Sequence, residues 1–178
     1  MRQTLLYGIA GCLIQAVALG QSSPPVVEAR MVLASDAAHA GSTVKAAVDA
    51  RIASGYHIND HHPSADYLIP TELKLEPSKQ VTVERVVYPK GEPKKFAFAD
   101  APLSVYEAKL LVAATLKVAP GVSPGSYTLK GKLAYQACND HVCLPPASAP
   151  LTLTLKVVDR GVPLKRVNAD VFNKAEFQ

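Results

Sequence analysis

The sequence predicts an all-β protein, an immunoglobulin-like antiparallel β-sandwich. Three observations lead to this prediction. Apolar and polar residues alternate with a period of two over several segments, which is the pattern of a strand with one buried face. Turn-forming glycines and prolines separate these segments. The number and spacing of the segments are those of two antiparallel sheets packed face to face.

Each strand is predicted from its own pattern. Alternation with a period of two is found in five segments: 44–52, 72–76, 81–87, 127–135 and 151–157. A sixth segment, 104–118, is long and apolar. Its residues 106–110 could be helical, but the neighbouring strands favour a strand. The chain has no Trp, so the buried tryptophan common in this fold is absent.

The N-terminus resembles a signal peptide. Arg2 supplies the positive charge, residues 5–19 are almost entirely apolar, and Ala18 and Gly20 are small residues at the cleavage positions. We expect cleavage after Gly20. Residues 9–12 also resemble a lipobox, which would make Cys12 a lipid anchor, but the apolar run continues beyond it.

The remaining chain divides into a loose segment (21–26), one domain (27–160) and a loosely held tail (161–178). No later stretch approaches the roughly 18 apolar residues of a membrane span, so we expect an exported, periplasmic protein with no span in the mature chain. The formal charge of +4 is small and dispersed, which argues against a nucleic-acid partner.

Two of the three cysteines, Cys138 and Cys143, are separated by four residues. Such a pair can close a small ring and support thiol–disulfide exchange, in which one sulfur attacks a partner disulfide and the other resolves the mixed intermediate. It can equally be a structural staple. A six-residue ring stabilises by only about 2 kcal/mol and opens without unfolding a sandwich. This favours a redox role, although the spacing alone leaves both roles open.

The alternation of 127–135, extended to residue 138, places Ala137 inward and Cys138 outward. Asn139 and Asp140 favour a turn between the cysteines. A protonated His141 would favour a thiolate and Asp140 would oppose it, so the net effect on the cysteines stays open.

A second polar cluster lies at 55–62 and contains His57, Asp60, His61 and His62. Imidazole and carboxylate groups can bind zinc or copper. A polar strand end that leads into a loop explains the same residues, with His57 on the face opposite Tyr56 and Ile58. We therefore predict no metal site and keep a metal-binding protein as a third interpretation.

The motif YQAC at 135–138, followed by CLPP at 143–146, resembles the active-site segment of the N-terminal periplasmic domain of the DsbD family of thiol:disulfide interchange proteins. The segments GYHIN at 55–59 and IPTEL at 69–73 also resemble that domain. The order and spacing of these motifs agree from Val27 to Val158.

The resemblance implies a sandwich with a redox-active pair, Cys138 and Cys143, that needs no cofactor. It implies protein-disulfide reductase-type activity toward periplasmic thioredoxin-like or disulfide isomerase-like partners, including those of cytochrome c biogenesis. It further implies that Cys143 forms the mixed disulfide and that Cys138 resolves it. The alternative is a non-enzymatic immunoglobulin-like binding module with a structural disulfide.

The chain departs from the family pattern in three respects. Its cysteines are separated by four residues, whereas five are usual. The loop that covers the cysteines in the family has only a loose counterpart here, residues 96–102, in which Phe98 is the expected shielding ring. The chain ends at Gln178, so we expect a stand-alone protein whose electrons come from or go to a separate protein.

Overall fold

The computed structural model describes residues 24–97, 99–175 and 177. The predicted signal peptide (1–20), Cys12 and Phe98 lie outside the described residues. Within them the predicted all-β class is confirmed. The elements are β1 (Val27–Leu33), β2 (Ala38–His39), β3 (Thr43–Ile52), β4 (His57–Asn59), β5 (Glu72–Leu75), β6 (Val81–Val87), β7 (Glu92–Lys94), β8 (Leu103–Glu107), β9 (Lys109–Val118), β10 (Gly125–Tyr135), β11 (Ala137–Cys138), β12 (Ala147–Val158) and the helix α1 (Ala169–Phe172).

Two four-stranded sheets form the immunoglobulin-like sandwich. The first sheet has the order β1-β3-β9-β6, and the second has the order β2-β12-β10-β5. All strand pairs in them are antiparallel except β12 with β2, which is parallel. The inward side chains of both sheets join in one apolar core. Its fully buried members include Val48, Val112, Leu116, Leu133 and Leu155.

A third, smaller sheet has the order β11-β4-β8-β7. Its strands continue those of the sandwich: β4 follows β3, β8 precedes β9, and β11 follows β10. Because three of its strands are continuous in sequence with strands of the sandwich, the third sheet is anchored to the main core. Its own edge strands are short. A small separate core of Leu68, Phe96, Leu103 and Val105 supports it.

The apolar segment 104–118 is strand, as predicted, but it is two strands. Ala108 has a φ of 56° and interrupts the run between β8 and β9. Its carbonyl oxygen still accepts a hydrogen bond from the Ile52 N–H at 2.9 Å. The positive φ turns the chain out of the first sheet and into the third, a change of direction that an apolar pattern does not encode.

Part of the segment 161–178, predicted to be a loosely held tail, is hydrogen-bonded to the end of β1. Asn168 donates from Nδ2 to the Leu33 carbonyl at 2.9 Å, and the Val167 N–H donates to the Ala34 carbonyl at 3.0 Å. Val171, in α1, is buried. A short apolar anchor and backbone hydrogen bonds to the end of β1 therefore fix the segment, although its sequence shows no strand alternation.

Candidate functional site: a disulfide at the end of the sandwich

The cysteine loop is a compact hairpin that grows out of β10. The Asn139 N–H donates to the Val142 carbonyl at 3.0 Å, and the Leu144 N–H donates to the Ala137 carbonyl at 2.8 Å. The Asn139 side-chain oxygen accepts from the backbone N–H groups of His141 and Val142 at 2.9 and 2.8 Å. An asparagine that satisfies two backbone donors in this way explains why the turn forms here. The hairpin brings its two ends together.

Cys138 and Cys143 are those ends, and they form a disulfide with 3.9 Å between their Cα atoms. Their environments differ sharply. Cys138 is 1% exposed, whereas Cys143 lies on the surface. A reagent or a partner protein can therefore reach Cys143 and not Cys138.

The expectation that Cys138 points outward is wrong. Alternation assigns an outward face only when one side of the strand meets solvent, and β11 is covered on both sides. Ala137 packs into the main core. Cys138 lies directly opposite His57 in the antiparallel pairing of β11 with β4. Both residues of this two-residue strand are consequently buried.

His57 is the buried neighbour of Cys138 that the sequence did not connect to it. Its side chain is 2% exposed, and its ring stacks on Phe96 with 4.3 Å between the ring centroids. Burial lowers the pKa of His57 below its usual value, and Lys94 lowers it further, against the opposing charges of Glu107 and Asp140. The imidazole is therefore neutral at pH 7.

Phe96 covers His57 from the segment in which we expected a shielding ring. Phe96 is 4% exposed, and the Lys94 ammonium lies 5.6 Å from its ring centroid. Lys94 also forms an ion pair with Glu107 across the third sheet. The ring expected in this role, Phe98, lies outside the described residues, so the structure assigns a covering role to Phe96 and leaves that of Phe98 a prediction.

The other polar residues of the 55–62 cluster contact neighbouring loops and strands. The His61 ring stacks on Tyr88, with 3.7 Å between centroids, and its Nδ1 lies 2.9 Å from the Thr71 carbonyl oxygen. Among the described residues, the structure shows no group of three or more His, Cys, Asp or Glu side chains placed to hold a metal ion.

Asp60 organises the loops beside the third sheet. Its carboxylate accepts hydrogen bonds from the Tyr106 and Ser104 hydroxyls, both at 2.6 Å, and from the N–H groups of Gly91 and His62 at 3.1 and 3.2 Å. Burial alone would raise the pKa of Asp60, but these four donors outweigh it and lower the pKa. This carboxylate is a structural acceptor that ties its own loop to Gly91 and to β8.

Comparison with known protein families identifies the family of this chain. The family model described as thiol:disulfide interchange protein DsbD, N-terminal, matches residues 26–155. The chain belongs to this DsbD N-terminal family. The resemblance inferred from the cysteine motif is thereby confirmed. The family and the disulfide between Cys138 and Cys143 together support a thiol–disulfide interchange domain.

Solved structures similar to this one include two bacterial N-terminal domains. The N-terminal domain of DsbD from Neisseria meningitidis, in the reduced form, shares 23% identity over 75% of this chain and 89% of its own, with a TM-score of 0.42. The N-terminal periplasmic domain of ScsB from Proteus mirabilis shares 18% identity over 71% of this chain and 44% of its own, with a TM-score of 0.46.

A type I cohesin of ScaB from Pseudobacteroides cellulosolvens is also similar, at 13% identity over 79% of this chain and 98% of its own, with a TM-score of 0.45. No curated protein sequence matches the chain. The DsbD family assignment rests on the family match alone. In the part of the chain that the structure describes, no helix has the length and apolar character needed to cross a membrane.

Proposed function

We propose that this domain exchanges two electrons with thioredoxin-like or disulfide isomerase-like proteins of the periplasm through Cys138 and Cys143. The observation that carries the proposal is the unequal exposure of the two cysteines within one ring. Exchange requires one sulfur that a partner can reach and one that stays close enough to displace it. Cys143 is on the surface, and Cys138 is 1% exposed.

The roles follow from this access. In the oxidised domain, a partner thiolate attacks the sulfur of Cys143, the intramolecular disulfide breaks, and the sulfur of Cys138 leaves and takes up a proton. The partner's second thiolate then attacks the partner sulfur of the mixed disulfide, and the sulfur of Cys143 leaves and takes up a proton. In the reverse direction, the Cys143 thiolate attacks a partner disulfide, and Cys138 then displaces the partner from Cys143. Each direction transfers two electrons between the two dithiol pairs, so no cofactor is needed.

Export to the periplasm belongs to the same proposal. Membership of the DsbD N-terminal family and the signal-like sequence at 1–20 support it. Expression of the full chain followed by cell fractionation and intact-mass measurement tests it. We expect the periplasmic form to begin near Gln21. A full-length, cytoplasmic product would contradict export.

Trapping of mixed disulfides tests the assignment of roles. Cys138→Ser leaves the exposed Cys143 without a resolving thiol, so we expect it to accumulate mixed disulfides with a thioredoxin-like partner on non-reducing gels. Cys143→Ser, the matched control, leaves only the buried Cys138 and should trap little. Equal trapping by the two variants would reject the roles. Trapping by neither, with a reduction potential below about −300 mV, would indicate a structural disulfide in a binding module.

A further inference from the structure

The imidazole of His57 carries a polar atom with no visible use in the oxidised domain. Among the described residues its Nε2 has no hydrogen-bond partner, and the atom is fully buried. An unsatisfied buried polar group destabilises the folded state, so such a group calls for an explanation. His57 lies directly opposite Cys138 in the antiparallel pairing of β11 with β4. Residues so paired project their side chains to the same face, with Cβ atoms about 5 Å apart.

Cys138 meets a chemical difficulty during exchange. Only a thiolate attacks a disulfide, and burial in apolar surroundings raises the pKa of a thiol. Once Cys143 is joined to a partner, Cys138 must lose its proton in a site that water does not reach freely. A nearby base that is neutral at pH 7 would solve this difficulty.

We propose that His57 accepts the proton of Cys138 when Cys138 displaces the partner from Cys143, an inference that rests on the proposed exchange function. The bond between the Cys138 sulfur and the Cys143 sulfur forms as the bond between Cys143 and the partner sulfur breaks. The departing partner sulfur takes the electron pair of that bond. The proton moves from Cys138 to Nε2 of His57 and from there to solvent or to the departing thiolate.

The charged groups around His57 fit this role. Glu107 of β8 and Asp140 of the cysteine turn both lie near the ring, and their carboxylates favour its protonated form. Lys94 of β7 opposes protonation. Lys94 and Glu107 are tied to each other as an ion pair. Burial is the largest influence, so the ring starts neutral and can accept a proton. Stacking on Phe96 holds the ring in place during the transfer.

A two-phase reaction isolates the step. The reduced full-length mature protein is mixed with one equivalent of 5,5′-dithiobis(2-nitrobenzoate), and released thionitrobenzoate is followed by stopped-flow absorbance. The first release reports attack by Cys143, and the second reports displacement by Cys138. In the unaltered protein we expect the second rate to rise with pH through an ionisation below 6.5, the ordinary pKa of histidine, and then to level off. The same ionisation should appear for His57 by NMR.

The variant His57→Gln keeps a polar side chain but no base. We expect its second rate at pH 7 to fall by roughly 100-fold, the usual contribution of a general base, and to rise with pH without levelling off until the thiol itself ionises. Its first rate should stay unchanged. His141→Gln is the matched control. It replaces the exposed imidazole of the cysteine loop and should keep both rates.

Three outcomes would overturn the role of His57. His57→Gln could show the same second rate and the same pH profile as the unaltered protein. Alternatively, His141→Gln could be the variant whose second rate falls. If His57→Gln does not fold, the unaltered protein still decides, because a second rate that rises steadily from about pH 5 to about pH 9 excludes a base with the pKa of a histidine. Failure of the exchange function itself looks different, since Cys138→Ser would then trap no thioredoxin-like partner, whatever the two rates of thionitrobenzoate release.

Discussion

At the scale of single residues, the site depends on one disulfide whose two ends have unlike surroundings. The buried Cys138 is paired with His57, and the exposed Cys143 ends the turn. Both thiols belong to one six-residue ring, so the difference between them comes from the protein around the ring. Solvent access therefore selects which sulfur a partner meets first.

Asp60 makes the stability of the neighbouring loops depend on pH. Its lowered pKa means that its ionised form is favoured by folding, so the stabilisation is present above the ordinary carboxyl pKa and is lost as the pH falls through the lowered value. We expect Asp60→Asn to cost about 1–3 kcal/mol at pH 7, because the donors of Gly91 and Ser104 lose a charged acceptor. Urea unfolding from pH 7 to acid measures this.

Asp66→Asn is the control for that prediction, since Asp66 is exposed in the same loop region and should change the free energy of unfolding by less than about 0.5 kcal/mol. The acid sensitivity of the Asp60 variant should be smaller than that of the unaltered protein. An Asp60→Asn protein with unchanged stability and unchanged acid dependence would show that the four hydrogen bonds contribute nothing.

The sequence pointed to the disulfide pair but not to its placement. Cys138 and Cys143 stand out by motif and spacing, and both are in the disulfide. The burial of Cys138 could not be read from alternation, because both residues of β11 are buried. The pairing of Cys138 with His57 joins positions 81 residues apart (138 less 57), and no local pattern encodes such a register.

At the scale of elements, predictability follows strand length. The strands β3, β10 and β12 have 10, 11 and 12 residues and show their alternation clearly. The strands of the third sheet have two to five residues, too few to display a period of two. The site lies in this short-stranded sheet. The cysteine motif therefore indicated where the site is in the sequence, whereas the alternation pattern could not predict its strands or their pairing.

Gly131 shows how closely the edge of the second sheet is packed. A Cβ atom added at this position would lie 2.5 Å from the Lys74 carbonyl oxygen and 2.6 Å from Cδ2 of Leu75, both in β5. Since the backbone of β5 must move to admit it, we expect Gly131→Ala to destabilise by about 1–3 kcal/mol and to loosen β5 first. Hydrogen exchange of the β5 amides and thermal unfolding measure the two effects.

Gly161→Ala is the matched control, because a Cβ atom there meets nothing within 4 Å. It should leave both the melting temperature and the β5 amides unchanged. A Gly131→Ala protein that is as stable as the unaltered one, with β5 equally protected, would mean that β5 can shift at no cost and that its packing does not depend on glycine.

At the scale of the whole molecule, the site and the core are largely separate. The main core is built from the inward residues of the first two sheets and does not include either cysteine. The third sheet is held by backbone pairing of β4 with β8 and of β8 with β7, and by the small core around Phe96. None of these contacts passes through the disulfide.

Reduction of the disulfide should therefore leave the sandwich folded. Opening a ring of six residues removes only about 2 kcal/mol in the chain-entropy model, against the several kcal/mol that a core of this size supplies. We expect both the oxidised and the reduced protein to melt cooperatively, with free energies of unfolding that differ by about 2 kcal/mol or less. Calorimetry of the two forms, with alkylation and intact mass to verify the thiol state, measures this. Loss of cooperative melting on reduction would show that the ring holds the fold, and the disulfide would then be a structural staple.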